Sequence, residues 1–160
     1  MSLLYVSGDP RLTRAHILAF GWNALGRSEN DPLATALQTR YPTAFASFGK
    51  QARQGRIKIG TLWVWRETLP ALGFMVVRES PYGTTRLRYV EAVAMTLARD
   101  HRRDNIASVA LVLPGIAYDA STFRAALDYW LKTVSLPIVV YEQYTPDVRA
   151  DESIIPTSEL

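Results

Sequence analysis

A continuous apolar segment at residues 107–113, with the sequence ASVALVL, constrains the fold of this chain more than any other feature. A strand that is apolar at every position buries both faces, which is typical of a parallel sheet covered by helices on both sides. Other short segments are also rich in strand-forming residues and are bounded by turn residues. They lie at residues 3–7, 15–20, 61–66, 73–78 and 137–144.

Helical patterns alternate with these strands. Asp31 and Pro32 provide an N-cap acid and a first-turn proline, after which apolar residues recur at helical spacing. The predicted helices span residues 32–41, 42–55, 85–102 and 121–131. Strands that alternate with helices in this way indicate an α/β fold with three layers, in which a mixed sheet has helices on both faces.

The chain has 160 residues, of which 48% are hydrophobic, and this is enough for one domain with a full core. We expect that domain to cover residues 1–145. The remaining residues, 146–160, are polar and acidic and show no periodicity, so they are predicted to form a mobile tail. An alternative is that Ile154 and Ile155 dock on a neighbouring molecule.

Composition excludes several kinds of site. The absence of cysteine excludes disulfides, zinc-thiolate sites, iron–sulfur clusters and a thiol nucleophile. His16 lies in an apolar segment and His101 at a basic helix end, without metal-ligand spacing, so we expect no metal and no cofactor. No 18-residue apolar run or leader pattern occurs, which favours a cytoplasmic protein without a membrane segment.

The formal net charge of +3 is modest for a whole surface and does not by itself indicate nucleic-acid binding, although it leaves such a partner open. The oligomeric state is not predicted. In open α/β sheets, ligands bind beyond the carboxyl ends of the strands. Four loops qualify as candidates for the site, at residues 8–10, 21–31, 78–85 and 114–120.

A succession of landmarks along residues 5–144 resembles a macrodomain, the ADP-ribose-binding α/β fold. The resemblance is greatest to the branch that contains bacterial DNA-linked ADP-ribose hydrolases. The landmarks are Gly8-Asp9, Asn23, Gly26, Tyr41-Pro42, Phe45, Gly55, the strand TLWVW, Arg86-Leu87, the strand SVALVLPG and the strand PIVVYE.

The resemblance implies roles for three residues at the nucleoside part of the ligand. Asp9 would receive the adenine amino group, because a carboxylate is a pure acceptor, and Tyr144 would stack on the base. Asn23 would contact the distal ribose, whereas Phe20 replaces a second asparagine of the family pattern. The alternatives are that Asp9 only forms a turn before Pro10 and that Asn23 only caps a turn.

Two loops would contact the diphosphate. After Gly26, where the family has further glycines, this chain has RSENDPLA, so Arg27 would pair with the phosphates while Glu29 and Asp31 would repel them unless they point away. The second loop has one glycine where several are usual, and the alternative is a plain strand-to-helix connection. The candidate residues of this loop are Pro114, Gly115, Ile116, Ala117 and Tyr118.

Catalysis is not expected. Hydrolases of the branch use a lysine in the loop after the fourth strand, where this chain has Arg78, and arginine stays protonated near neutral pH. The leading hypothesis is therefore binding of ADP-ribose or a related adenine nucleotide, free or on a macromolecule, without catalysis. One alternative is an ADP-ribosyl hydrolase that acts on modified nucleic acid or protein. Another is an interaction or scaffold domain without a ligand.

Overall fold

The computed structural model describes residues 3–114 and 120–157. Within these residues, the strands are β1 (Leu3–Gly8), β2 (Ile17–Asn23), β3 (Leu62–Trp65), β4 (Ala71–Arg78), β5 (Val109–Val112) and β6 (Ile138–Tyr144). The helices are α1 (Pro32–Arg40), α2 (Pro42–Arg53), α3 (Leu87–Asp100) and α4 (Ala120–Leu131), with a short 3-10 turn at Pro10–Leu12.

The strands form one mixed sheet in the order β1-β6-β5-β2-β4-β3. Strand β3 pairs antiparallel with β4 at one edge, whereas the other neighbouring strands are parallel. Ile17 in β2 pairs with Ala71 in β4 and with Val109 in β5, which places β2 in the middle. Because β2, β4, β5 and β6 run in one direction, their carboxyl ends meet at one edge of the sheet.

Two separate hydrophobic cores cover the two faces of the sheet. Helices α3 and α4 pack on one face around Val90, Leu97 and Leu131. Helices α1 and α2 pack on the other, where Phe48 and Phe74 are fully buried and stack with ring centroids 4.6 Å apart. The predicted three-layer α/β fold with a mixed sheet is confirmed.

Strand β2 differs from its predicted bounds. The sequence predicted a strand at residues 15–20, whereas the observed strand is Ile17–Asn23. Gly21 and Trp22 continue the pairing with β4, opposite Met75 and Val76. The sequence predicted Gly21 in a loop, because glycine is unfavourable inside a strand. In the structure, pairing with the backbone of β4 keeps Gly21 in the strand.

Residues 146–157 lie against the domain and differ in this from the free tail that we expected. Ile155 is buried in the core beneath α1 and α2. The buried carboxylate of Glu152 accepts hydrogen bonds from the Tyr141 hydroxyl at 2.6 Å and from the backbone N–H of Arg14 at 2.8 Å. These contacts are made by single side chains, Glu152 and Ile155, and not by one face of a helix or strand. The sequence of the segment therefore shows no repeating apolar pattern. The position of the domain boundary stays a prediction.

None of the helices in residues 3–114 and 120–157 is long and apolar enough to cross a bilayer.

Candidate functional site

A cleft of about 510 Å³ opens at the carboxyl ends of β2, β4, β5 and β6. This volume is in the range of ordinary small-molecule sites, which combine an apolar lining with a few polar groups. Apolar lining residues include Phe20, Trp22, Leu33, Leu37, Val112, Leu113 and Pro114. Polar lining residues are Glu29, Asp31, Arg78, Thr84, Thr85, Glu142 and Tyr144.

Arg78, the last residue of β4, forms a two-pronged ion pair with Glu29. Its Nη2 lies 2.7 Å from Glu29 Oε1, and its Nε lies 3.3 Å from Oε2. The guanidinium also donates to Thr85 Oγ1 and to the carbonyl of Gly21, both at 2.9 Å. The side chain of Arg78 is 15% exposed and that of Glu29 is 8% exposed. The pair is therefore part of the cleft wall, and Glu29 balances the positive charge of Arg78 there.

Gly21 makes room for this arrangement. A Cβ atom at position 21 would lie 3.2 Å from Arg78 Nη1, which is closer than most side-chain contacts allow. The absence of a side chain therefore lets the guanidinium lie across β2 and reach Glu29 on the far side.

Asn23 is fully buried and holds the loop that carries Glu29. Its Nδ2 donates to the carbonyl of Arg27 at 2.9 Å and to Glu29 Oε2 at 2.8 Å. Its Oδ1 accepts from the backbone N–H of Arg27 at 3.1 Å. The amide thus directs Glu29 towards Arg78, and its polar atoms already have partners within the protein.

Gly26 lies in the same loop at φ +68°, a left-handed conformation that favours glycine. A Cβ atom there would lie 2.9 Å from the Cα of Gly49 in α2, so the loop packs tightly on that helix. Gly26 lines a smaller cavity of about 310 Å³ on the other side of the loop, together with Trp22 and Arg53. The side chain of Arg27 is exposed.

Asp31 lies at the start of α1 and also lines the cleft. Its Oδ1 accepts the backbone N–H of Ala34 at 2.9 Å, and its carbonyl accepts that of Thr35 at 2.9 Å. The residue is the N-cap of the helix, as predicted. The positive end of the α1 dipole therefore already has a carboxylate beside it.

Asp9 is buried, and its two carboxylate oxygens each accept two hydrogen bonds. Oδ1 accepts from the backbone N–H and the Nε of Arg11, while Oδ2 accepts from Arg11 Nη2 and from the backbone N–H of Asp147. Burial alone would raise the pKa of Asp9, but the hydrogen bonds from Arg11 and Asp147 outweigh it and hold the pKa below its ordinary value.

Stability should therefore depend on the ionisation of Asp9. A carboxylate whose pKa is lowered by folding stabilises the fold fully at pH values above its ordinary pKa of 3.8. This stabilisation is lost as the pH falls through the lower pKa of the folded state. We expect the free energy of unfolding to fall less steeply in Asp9→Asn than in the wild type between about pH 5 and about pH 2. Urea titrations across that range test this. Glu67→Gln is the control, because Glu67 is exposed, and it should keep the wild-type slope. The same slope in Asp9→Asn would contradict the role given to the Asp9 carboxylate.

Tyr144 lines the cleft at the end of β6 and connects it to Asp9. The guanidinium of Arg11 lies 5.8 Å from the centroid of the Tyr144 ring, within cation–π range. Asp9 therefore acts on the cleft through Arg11. Glu142 lies two residues earlier on the same strand, lines the cleft as well, and pairs with Arg124 at 3.1 Å.

The predicted site residues thus fall into three groups. Pro114 and Tyr144 line the cleft. Asp9, Asn23, Gly26 and Arg27 are not among the described lining residues, and they lie behind them in the loops that hold the cleft. Gly115, Ile116, Ala117 and Tyr118 lie outside the residues that the structure describes. The ligand roles of all ten stay predictions.

Sequence reasoning missed three polar lining residues, Thr84, Thr85 and Glu142. The two threonines fall in a predicted strand-end loop, but threonine is too common in loops to stand out. Glu142 had a usable signal, because it is the one charged residue of the strand PIVVYEQY and lies next to the sheet edge where ligands bind.

The histidines take no part in the cleft. Nδ1 of His16 accepts the backbone N–H of Ala107 at 3.1 Å at the opposite end of the sheet. Burial, with a smaller effect of the Arg66 charge, lowers the pKa of His16. In the described ranges, no three or more histidine, aspartate or glutamate side chains group together as metal ligands.

The architecture is similar to that of solved macrodomains. The macrodomain of Thermus aquaticus DarG matches with 18% identity and a TM-score of 0.78, covering 88% of this chain and 97% of that chain. The macrodomain of Mycobacterium tuberculosis DarG matches with 22% identity and a TM-score of 0.73, covering 91% and 98%. Thermosipho africanus DarTG in complex with ADP-ribose matches with 14% identity and a TM-score of 0.80, covering 93% of this chain and 43% of that chain.

No protein-family model and no curated protein matches the sequence. At these identities the structural matches establish the fold, which agrees with the resemblance found in the sequence.

Proposed function

We propose that this chain, which has the macrodomain fold, binds ADP-ribose or a related adenine nucleotide in the cleft and does not catalyse its hydrolysis. The observation that supports this proposal most strongly is the open cleft of about 510 Å³ at the carboxyl ends of the parallel strands. Neither Phe20 nor Arg78 fills it, although both line it. One of the structural neighbours, from Thermosipho africanus, is a complex with ADP-ribose.

Tyr144 stacks on the base in this proposal. Its ring lines the cleft, and Arg11 beside it is fixed in place by Asp9. Thr84 and Thr85 offer hydroxyl groups to the sugar from the facing loop. The backbone at Gly115, Ile116, Ala117 and Tyr118 remains part of the proposed site. Asp9 and Asn23 support the cleft by positioning Arg11 and Glu29 respectively.

We propose the absence of catalysis because of the chemistry and the pairing of Arg78. Arginine does not supply the imine-forming amine of lysine, and the guanidinium of Arg78 is paired with Glu29, so it offers neither a nucleophile nor a base. Glu142 is paired with Arg124. Release of ADP-ribose from a modified protein or nucleic acid, lost in Asn23→Ala, would instead favour the hydrolase alternative. An ADP-ribosylated macromolecule is then a binding partner in one case and a substrate in the other.

Calorimetry with ADP-ribose tests the binding proposal. We expect measurable binding by the wild type, and we expect Tyr144→Ala to raise Kd by about tenfold or more, because base–aromatic stacking contributes about 1–3 kcal/mol. Tyr129→Ala is the matched control, since Tyr129 is 77% exposed on α4 and is not among the described lining residues. No heat and no thermal shift at millimolar ADP-ribose would overturn the proposal and leave a scaffold domain.

A further inference from the structure

The cleft contains two groups that attract anions, and each already has a carboxylate of the protein beside it. The first is the N-terminus of α1, where Asp31 accepts the N–H of Ala34. The second is Arg78, which is bound by Glu29 through two nitrogens. Neither group is therefore free to pair with an incoming phosphate, and at the N-terminus of α1 the phosphate meets the carboxylate of Asp31.

Glu29 cannot easily move away from an incoming anion. Its carboxylate accepts from Asn23 as well as from Arg78, and its side chain is 8% exposed. Turning it out of the cleft would leave the buried guanidinium and amide without their partner, which is costly. The negative charge is therefore a fixed part of the cleft wall.

The remaining lining residues do not restore a positive field. Glu29 is paired with Arg78, and Glu142 is paired with Arg124. Among the described lining residues, Asp31 is therefore the acid without a cationic partner, and no cation is left unpaired. The carboxylate oxygens, with the threonine hydroxyls, accept hydrogen bonds, and they suit a ligand that is rich in hydroxyl and amino donors.

From this we infer that the cleft recognises the uncharged nucleoside part of its ligand and that phosphate groups weaken binding. The inference rests on the proposed function, because it takes the occupant to be an adenine nucleoside derivative. It goes further in naming the class that binds best. An adenosine-like compound without phosphate supplies a stacking base, an exocyclic amine and sugar hydroxyls, and brings no charge to oppose Glu29 and Asp31.

The experiment compares adenosine, AMP and ADP-ribose by calorimetry against the same protein. We expect adenosine to bind at least as tightly as ADP-ribose, with AMP weaker than adenosine. Raising the salt concentration should tighten ADP-ribose binding and leave adenosine unchanged, because salt screens repulsion between charges.

Charge-removing variants give the second arm. Glu29→Gln and Asp31→Asn should each lower the ratio of the ADP-ribose Kd to the adenosine Kd by about tenfold, the effect of removing one nearby like charge. Asparagine is also a good N-cap, so Asp31→Asn keeps α1 intact should Glu29→Gln fold poorly. Glu67→Gln is the matched control, because Glu67 is exposed in the turn before β4 at the opposite end of the sheet, and its ratio should not change.

The outcomes separate the two proposals. Binding of ADP-ribose at least tenfold tighter than adenosine, with ratios unchanged in both variants, would overturn the inference and leave the proposed function standing. Failure of all three compounds to bind at millimolar concentration would overturn both. Tighter binding of adenosine, together with a reduced ratio in Asp31→Asn, is the result that the charges predict.

Discussion

Replacing Arg78 with alanine is expected to lower the free energy of unfolding by about 2 to 3 kcal/mol. The substitution leaves Glu29, which is 8% exposed, without its cationic partner and also removes the hydrogen bonds to Thr85 and Gly21. An unpaired carboxylate in such a place costs more than the pair contributes when intact. Equilibrium unfolding in urea measures the change directly.

The matched variants distinguish a buried ion pair from simple truncation. Glu29→Ala combined with Arg78→Ala should cost less than the sum of the single variants, since neither charge is then left alone. Arg86→Ala is the control, because Arg86 is an exposed arginine at the start of α3, and its change should stay within about 0.5 kcal/mol. A fully additive double variant would contradict the described pairing.

Phe20→Asn should destabilise the protein by about 3 kcal/mol, even though it restores an asparagine of the family pattern. The Phe20 ring is 3% exposed, and its centroid lies 4.8 Å from that of Phe74 and 5.6 Å from that of Phe45. An amide at this position loses the aromatic contacts and faces apolar rings. Thermal and urea unfolding measure the cost.

Phe20→Leu is the control for this variant, because leucine keeps the side chain apolar and should cost about half as much. ADP-ribose titration of Phe20→Asn adds a functional readout. A variant that is as stable as the wild type and binds ADP-ribose more tightly would show that position 20 belongs to the ligand rather than to the core.

Most of the fold could be predicted because its signals are local. The apolar segment at residues 107–113 indicated a strand of a parallel sheet that is buried on both faces, and β5 lies within that segment and pairs parallel with β2 and β6. Asp31 and Pro32 marked the start of α1 correctly. The C-terminal segment could not be predicted, since its contacts depend on Glu152 meeting Tyr141 and Arg14, residues that are distant along the chain or on separate elements.

The candidate site was less accessible to sequence reasoning. Asp9 and Asn23 were selected as polar residues at strand ends, but what each one binds depends on its neighbours in space. The guanidinium of Arg11 donates to the carboxylate of Asp9, and the amide of Asn23 donates to the carboxylate of Glu29. The pairing of Glu29 with Arg78 joins residues that are 49 positions apart, and no local pattern indicates it.

The charges of Glu29 and Asp31 were recognised from sequence as unfavourable to a diphosphate unless they pointed away. Both line the cleft. The loop lacks the family's glycines, but the cleft still has two groups that attract anions, the N-terminus of α1 and Arg78. Asp31 and Glu29 respectively are already bound to them, so the charge of the ligand matters for binding.

A crystal structure of the protein soaked with millimolar adenosine is the decisive measurement. We expect adenosine in the cleft, with its base against the Tyr144 ring and with the ion pair between Arg78 and Glu29 intact. An empty cleft under these conditions, or adenosine bound elsewhere on the surface, would show that the cleft does not recognise the nucleoside.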